Sequence, residues 1–254
     1  MPELTNTKSK LLILAGDINS GFGSADRYKD VTITAWKKAI KKNDINVIVN
    51  YYDFHRKLQE KIQGWKTSSF HQHIASLHQS AAYDVTIITT DIDDLFIRAG
   101  IPETKVHNTY GNIYLRRCMA CKHTFKDEMA RLIDKAQIDR CPQPRCRSKF
   151  IKNDVLLRRE RLHNMRTSIR VFDQMKAGDL IVMVDEFGIN FKSTHQLWRK
   201  CRQRGVQTIH VSLNDEQHSL FPADQSLKCT VDQALDQLDM AITLSKMVDD
   251  LTLE

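Results

Sequence analysis

Four cysteines in two close pairs, Cys118/Cys121 and Cys141/Cys146, are the residues whose type and spacing most directly state a chemistry. Thiolates bind zinc tetrahedrally, and two pairs on separate turns supply four ligands while joining segments about twenty residues apart. Cys118-x-x-Cys121 has knuckle spacing, and the Cys141-Pro142-Gln143-Pro144-Arg145-Cys146 pair is longer but within the range of zinc ribbons. Four sulfur ligands leave no open position for water or substrate, so the expected metal is structural Zn2+. Just upstream stands an isolated Tyr110-Gly111 step. A second polar group, Thr90-Asp91-Ile92-Asp93-Asp94, follows an apolar run. Its acids suit a cation or a ribose hydroxyl, and equally suit capping of a following helix, whose dipole favours carboxylates. His71 and His73 are spaced i, i+2, which points them to different helix faces, so surface or capping roles outrank a metal pair.

The elements that must position these groups read as an α/β chain. Leu11 to Ala15 (LLILA) is a buried strand stopping at Gly16, and the turn that follows, DINSGFGSADRY, is rich in small residues. Nucleotide-binding domains commonly begin this way, because small residues let backbone N–H groups approach phosphates. The glycine fingerprint is incomplete: Ile18 occupies its second glycine position, and Gly21 and Gly23 lie outside its register. Residues 31–80 are mainly helical, with Trp36, Ile40, Leu58, Ile62 and Trp65 at helical spacing, and Ile45 to Val49 reads as helix or strand. Val85 to Thr89 (VTIIT) is the next buried strand, and the helix after it stops at Gly100. Leu162, Met165, Ile169, Phe172 and Met175 predict an amphipathic helix ended by Gly178. Leu180 to Val184 (LIVMV), a helix carrying Leu197, Trp198 and Cys201 with Ser193 and Thr194 as caps, and Val206 to Leu213 form a βαβ unit, which predicts a parallel sheet. Val231 to Leu251 closes the chain as a helix with Leu235, Leu238, Ile242 and Leu251 inward.

Composition bounds the rest. At 254 residues and 41% hydrophobic content, the chain buries a sizeable core and is not a disordered protein. A net charge of +7 points to an anionic partner or simply to a basic solvated surface. Arg116, Arg117, Arg145, Arg147, Lys149, Lys152, Arg158, Arg159 and Arg161 crowd the cysteine segment. No aromatic platform is interleaved with them, so a nucleic-acid face is the weaker reading and a solvated face the stronger. There is no apolar run of about 18 residues and no apolar centre in the N-terminal MPELTNTKSK, so no membrane span or secretion signal is expected. Cys201 and Cys229 read as single buried thiols. A reducing, cytoplasmic location is the expectation.

The order of parts resembles the sirtuin family. The resemblance rests on LAGDINS after the first strand, TTDIDDLFIRAG after the second, VHNTYGNIYLRRCMAC, the second cysteine pair, NDVLLRRE and the terminal βαβ unit, and runs from about Leu11 to Leu238. It implies an α/β fold with a Rossmann-like parallel sheet and a small zinc-ribbon insert. Residues 9–108 and 162–250 would form the NAD-type domain and 112–160 the zinc ribbon. It further implies NAD as cofactor, with NAD or an ADP-ribose-like ligand and an acylated or other protein substrate as partners. Gly16 and Ser20 match the family's G-A-G-I-S loop, where Asp17 and Ile18 replace alanine and the second glycine. Tyr28 matches its phenylalanine and Lys29 falls at its arginine. Asp93 matches the aspartate of its Q-N-I-D segment, with Thr90 and Asp91 in place of glutamine and asparagine. Ser212 takes the place of an asparagine, with Asn214 close by, and Asp185-Glu186-Phe187 replaces G-T-S. The family's His-Gly, whose imidazole acts as general base, is Tyr110-Gly111 here. A phenol with an ordinary pKa of about 10 is a poor base at neutral pH.

Two function classes follow. The first is an NAD-dependent protein-lysine deacylase, or a related NAD-cleaving or ADP-ribosyl-transferring enzyme. In it Tyr110 and Asp91 would be the reacting-side residues, and Gly16, Ser20, Tyr28, Lys29, Asp93 and Asn214 the NAD contacts. The second is a binding or regulatory protein that keeps the sirtuin scaffold and its Zn2+ at Cys118, Cys121, Cys141 and Cys146 without catalysis.

Overall fold

The computed structural model describes residues 8–16, 32–80, 83–126, 140–185, 192–240 and 242. Asp17, Ile18, Ser20, Tyr28, Lys29, Glu186, Phe187 and Leu251 lie outside the described residues. The chain begins with β1 (Lys10–Ala15), α1 (Ile33–Lys42), α2 (Ile45–Gln63), α3 (Ser69–Gln79), β2 (Asp84–Thr89) and α4 (Leu95–Arg98). It continues through β3 (Val106–Asn108), β4 (Gly111–Cys118), β5 (Thr124–Lys126) and β6 (Ile151–Val155). It then forms α5 (Met165–Asp173), β7 (Leu180–Val184), α6 (Lys192–Gln203), β8 (Gln207–Val211), α7 (Asp215–Leu220) and β9 (Gln225–Leu227).

Six strands make one sheet ordered β3-β2-β1-β7-β8-β9, and every pairing in it is parallel. Strands β1, β2 and β3 run outward to one side and β7, β8 and β9 to the other. The order therefore reverses between β1 and β7, and at such a switch point open α/β sheets bind ligands beyond their carboxyl ends. Alternate side chains of β1 serve opposite faces. Leu11, Ile13 and Ala15 pack with Phe70, Ile74, Val85, Ile87 and Val182. Leu12 and Leu14 pack with Phe172, Met175, Met183 and Trp198. Both faces are covered, which is why the strands read as continuous apolar runs.

Ile45 to Val49 proves to be helix. Asp44 caps α2 by accepting from the Val47 N–H, and Ile48, Tyr51, Tyr52, His55, Leu58 and Ile62 are buried along it. That burial outweighs the modest penalty of its β-branched residues. Helices α1 and α2 share an apolar cluster, Trp36, Ile40, Ile48, Tyr51 and Tyr52, with Leu157 and Phe150 from beyond β4. His71 acts as a cap, as one of the two expected roles had it, but it is buried and not on the surface. Its Nδ1 lies 2.8 Å from the Ser68 hydroxyl and 3.3 Å from the Ser68 N–H. His73 faces Asp239 at 3.2 Å.

The expected βαβ unit is present, with β7 and β8 parallel and in register from Leu180↔Gln207 to Val184↔Val211. Its helix begins at Lys192, so Thr194 stands inside the first turn and does not cap it. Cys201 is buried as expected, and burial pushes its thiol up to about 11, whereas Cys229 is only half-buried. Near the C-terminus, Val231, Ala234, Leu238 and Ile242 are buried against the sheet, with Leu235 partly so. Among the described residues, no helix is long and apolar enough to cross a membrane.

Candidate functional site: the carboxyl edge of the sheet and a four-thiolate centre

Strands β5-β4-β6 form a separate antiparallel sheet that carries the cysteines. Cys118 ends β4 opposite Ile151, and a tight turn returns the Lys122 N–H to the Cys118 carbonyl at 2.9 Å. A second turn, with the Cys146 N–H on the Gln143 carbonyl at 2.9 Å, presents Cys141 and Cys146. The four Sγ atoms lie within 4.8 Å of one another. The Cys118–Cys146 and Cys121–Cys141 sulfurs are each 3.6 Å apart. A zinc–sulfur bond of about 2.3 Å sets tetrahedral edges of about 3.8 Å, whereas a disulfide needs about 2.05 Å. The donor set thus fits zinc.

The surroundings favour thiolates in part. Burial works against ionisation of Cys118, but backbone N–H groups of Cys121 and Ala120 outweigh it and bring the thiol down to about 7. Burial pushes Cys141 up to about 12. A bound cation reverses that penalty by supplying the missing positive charge.

At the sheet's carboxyl edge, adjacent strand ends are tied by backbone bonds. The Gly16 N–H donates to Val184 O at 3.0 Å, Thr90 N–H to Ala15 O at 3.0 Å, and Asp185 N–H to Val211 O at 3.0 Å. Buried polar residues gather there: Thr90, Asp91, Asp93, Asn108, Thr109 and Ser212. Asp91 receives the Thr89 hydroxyl on Oδ2 at 3.2 Å, while its N–H donates to the same hydroxyl at 2.9 Å. Asp93 Oδ1 accepts from the Leu95 N–H at 3.1 Å, a local turn that satisfies the first N–H of α4, whose N-cap position is Asp94. Asn108 donates from Nδ2 to the carbonyls of Asp91 and Asp93, at 2.9 and 3.3 Å, which locks the β2 and β3 exits together. Asn214 is exposed and caps α7, its Oδ1 accepting from the Glu216 N–H at 2.9 Å.

Tyr110 sits where this edge meets the cysteine-bearing sheet. Thr109 bonds back to Thr89 O through both N–H and hydroxyl, at 2.8 and 2.9 Å. The Tyr110 carbonyl accepts from the Leu156 N–H at 2.8 Å, and its half-buried ring packs beside Leu58, Ile62, Ile92, Ile113 and Val155. Gly111 follows with φ of 88°. His107 lies on β3 opposite Ile88, where burial, aided by Lys105, lowers its pKa.

Sequence reading missed a buried charge network beneath this junction. Lys152 is fully buried and meets Glu160 at 3.1 Å. His163 stands between Asp154, 3.2 Å from Nδ1, and Glu160, 3.3 Å from Nε2, and Arg117 pairs with Asp154. Burial works to raise both acids, but His163 with Arg117 holds Asp154 below its ordinary range, and His163 with Lys152 does so for Glu160. Arg116 is buried too, its guanidinium 5.1 Å from the Tyr52 ring and 5.7 Å from that of Phe125. The basic segment is therefore not one solvated face. Lys152 and Asp154 alternate with Ile151, Asn153 and Val155 as on a half-exposed strand, so nothing local signalled their burial.

Sheet order, switch point and the inserted four-thiolate sheet together define a Rossmann-type class of α/β fold. The family model for the Sir2 family matches residues 23–188, and the chain belongs to that family. Two Campylobacter jejuni proteins described as NAD-dependent protein deacylases are each 27% identical, over 141 residues (56% of this chain, 54% of theirs) and 124 residues (49% and 46%). The chain thus spans about half the length of the curated relatives it matches. Among solved structures, a Sir2 homologue–ADP-ribose complex superposes with a TM-score of 0.68 at 19% identity, covering 97% of this chain and 94% of that one. A Sir2 protein bound to acetylated peptide gives 0.65 at 18%, covering 90% and 91%. One bound to a myristoylated histone peptide gives 0.59 at 19%, covering 95% and 92%. At these identities the likeness is one of fold.

Proposed function

We propose that this protein is an NAD-dependent protein-lysine deacylase, or a closely related NAD-cleaving transferase, working at the carboxyl edge between β1 and β7. The observation that carries the reading is the parallel sheet's reversal point, with side-chain-free Gly16 on one side and the Asp91–Asn108–Thr109 group on the other. This edge suits NAD: hydroxyls, a carboxamide and carboxylates converge at a strand terminus, the usual complement of a ribose-bearing ligand. The names of the relatives and of the ligands in similar folds point the same way.

In this reading Gly16, Ser20, Tyr28, Lys29, Asp93 and Asn214 hold NAD. Asp91 lies toward the nicotinamide ribose and Tyr110 toward the acceptor. NAD, when bound, supplies the nicotinamide–ribose bond that is cleaved. Asp93 also accepts from the first N–H of α4 and Asn214 caps α7, so each would shape its loop as well as offer a contact. Cys118, Cys121, Cys141 and Cys146 hold Zn2+ structurally, tying the β4 turn to the 141–146 turn. The division into an NAD-type domain, residues 9–108 and 162–250, and a zinc ribbon, 112–160, belongs to the same proposal.

A second reading is a binding protein on the same scaffold without catalysis. Tyr110 favours it, because a phenol stands where the resemblance implies a general base. Titration with NAD and ADP-ribose by calorimetry tests the first reading. Saturable binding below millimolar concentration is expected, and none at millimolar ligand overturns it.

A further inference from the structure

We propose that His163 is a positioning residue: its protonated ring, held between two carboxylates, fixes the Thr109–Tyr110–Gly111 step, and the hold loosens when the proton leaves. The inference rests on the proposed function only in placing Tyr110 toward the acceptor. Three successive carbonyls accept from the segment after β6: Asn108 O from Asn164 Nδ2 at 3.2 Å, Thr109 O from the His163 N–H at 2.9 Å, and Tyr110 O from the Leu156 N–H at 2.8 Å. The imidazole then packs against Gly111, where an added Cβ would lie 3.0 Å from His163 Nδ1. One residue thus holds the backbone on both sides of Tyr110, through its main chain at Thr109 and its ring at Gly111.

Charge aims the ring. His163 is buried, with Nδ1 3.2 Å from Asp154 Oδ1 and Nε2 3.3 Å from Glu160 Oε1. An imidazolium carries a proton on both nitrogens, whereas the neutral ring turns a lone pair toward one of the carboxylates. Neither carboxylate is free to swing away from that repulsion. Arg117 of β4 pairs with Asp154, and Lys152 of β6 meets Glu160 at 3.1 Å while donating to Val155 O at 2.7 Å. Glu160 also accepts from the Leu157 N–H at 3.0 Å. These two cations already match the two carboxylates, so the cluster stays balanced when the ring gives up its proton. Lys152 is the other cation able to release one, since burial lowers its pKa against the pull of Glu160 and Asp154. Lys37 of α1, Lys122, Arg159 and Arg161 share a cavity with His163, but they are exposed and screened by solvent.

Amide hydrogen exchange of the full chain without NAD tests the hold directly. Between about pH 5.5 and about pH 8.5, protection of the His163 and Leu156 amides, corrected for intrinsic exchange, should fall about tenfold, the worth of one charge-assisted hydrogen bond. Amides of β1 and β7 should show no such fall, because the buried neutral His55 and His71 make the whole fold weaker toward acid, the opposite sign. His163→Gln offers a donor but takes no proton, so protection of the Leu156 amide and of the amide at position 163 should be lower than in the native chain at pH 5.5 and flat with pH. With NAD and an acyl-lysine peptide, the same variant should lower kcat about tenfold at unchanged KM for NAD, the signature of a misplaced reacting group. Protection in the native chain that ignores pH, the same pH dependence in the variant, which would place the titration on Lys152, or an unchanged kcat overturns the proposal. Absence of nicotinamide release from both chains would sink the enzyme reading instead, and the exchange result would decide this one alone.

Discussion

A Cβ added to Gly111 would fall 1.5 Å from the backbone carbonyl oxygen of Asp154. The two residues belong to neighbouring strands, and Gly111 pairs with Val155 in the register of β4 and β6. The Tyr-Gly step is thus the point where the chain leaves the parallel sheet's edge and enters the cysteine-bearing sheet, with no room for a side chain.

Gly111→Ala should therefore destabilise the protein by about 2–4 kcal/mol, combining the left-handed φ with overpacking against backbone. Urea unfolding reads this as a lower midpoint at unchanged slope. A loss under about 1 kcal/mol would mean that β6 moves aside freely.

Metal content tests the thiolate centre. Purified protein should carry one equivalent of zinc, and Cys118→Ser or Cys141→Ser should lose both the metal and the folded state of the cysteine segment. A chelator should lower the thermal midpoint of the native chain and leave that of the variants unmoved. Full zinc occupancy in either variant would refute the assignment.

Acid should weaken the fold before its carboxylates titrate. Burial lowers His55 to about 3 and His71 to about 4, from an ordinary value of 6.5. Because both folded-state pKa values are depressed, the unfolded chain binds more protons, so this stability is complete above pH 6.5 and falls as pH drops toward each folded value. The loss should reach about 2 kcal/mol for each histidine by pH 5. Below that, the depressed Asp154 and Glu160 add a further loss as pH falls through their folded values. Denaturant melts at pH 7 and pH 5 provide the measurement, and equal midpoints would contradict the buried-neutral assignment.

Tyr110→His addresses catalysis. With an acyl-lysine peptide and NAD, the substitution should raise nicotinamide release about 10²–10⁴-fold if only a general base is lacking. A fall in rate would show that the native phenol has its own part in the reaction.

Some of this protein could be read from its residues in order. LLILA, VTIIT and LIVMV are unbroken apolar runs because their sheet is covered on both faces, so the strands and their parallel pairing were legible. The cysteine pairs were legible because metal-ligand spacing is a local property. Ile45 to Val49 was undecidable on that basis. A short apolar β-branched run suits either element, and the Asp44 cap and contacts with Leu157 and Phe150 selected helix.

What the sequence by itself determined is what depends on neighbours along the chain: strand runs, the thiolate set and the order of parts that marks the family. The tertiary structure alone decided which charges are interior. Lys152 and Arg116 look like their exposed neighbours in sequence, yet they are buried against Glu160 and between the rings of Tyr52 and Phe125. It likewise decided that Arg159 and Arg161 share a cavity with Lys37, from a helix more than a hundred residues earlier. The physical reason is that burial and Coulomb energy depend on distance through space, and no local pattern encodes the approach of segments so far apart.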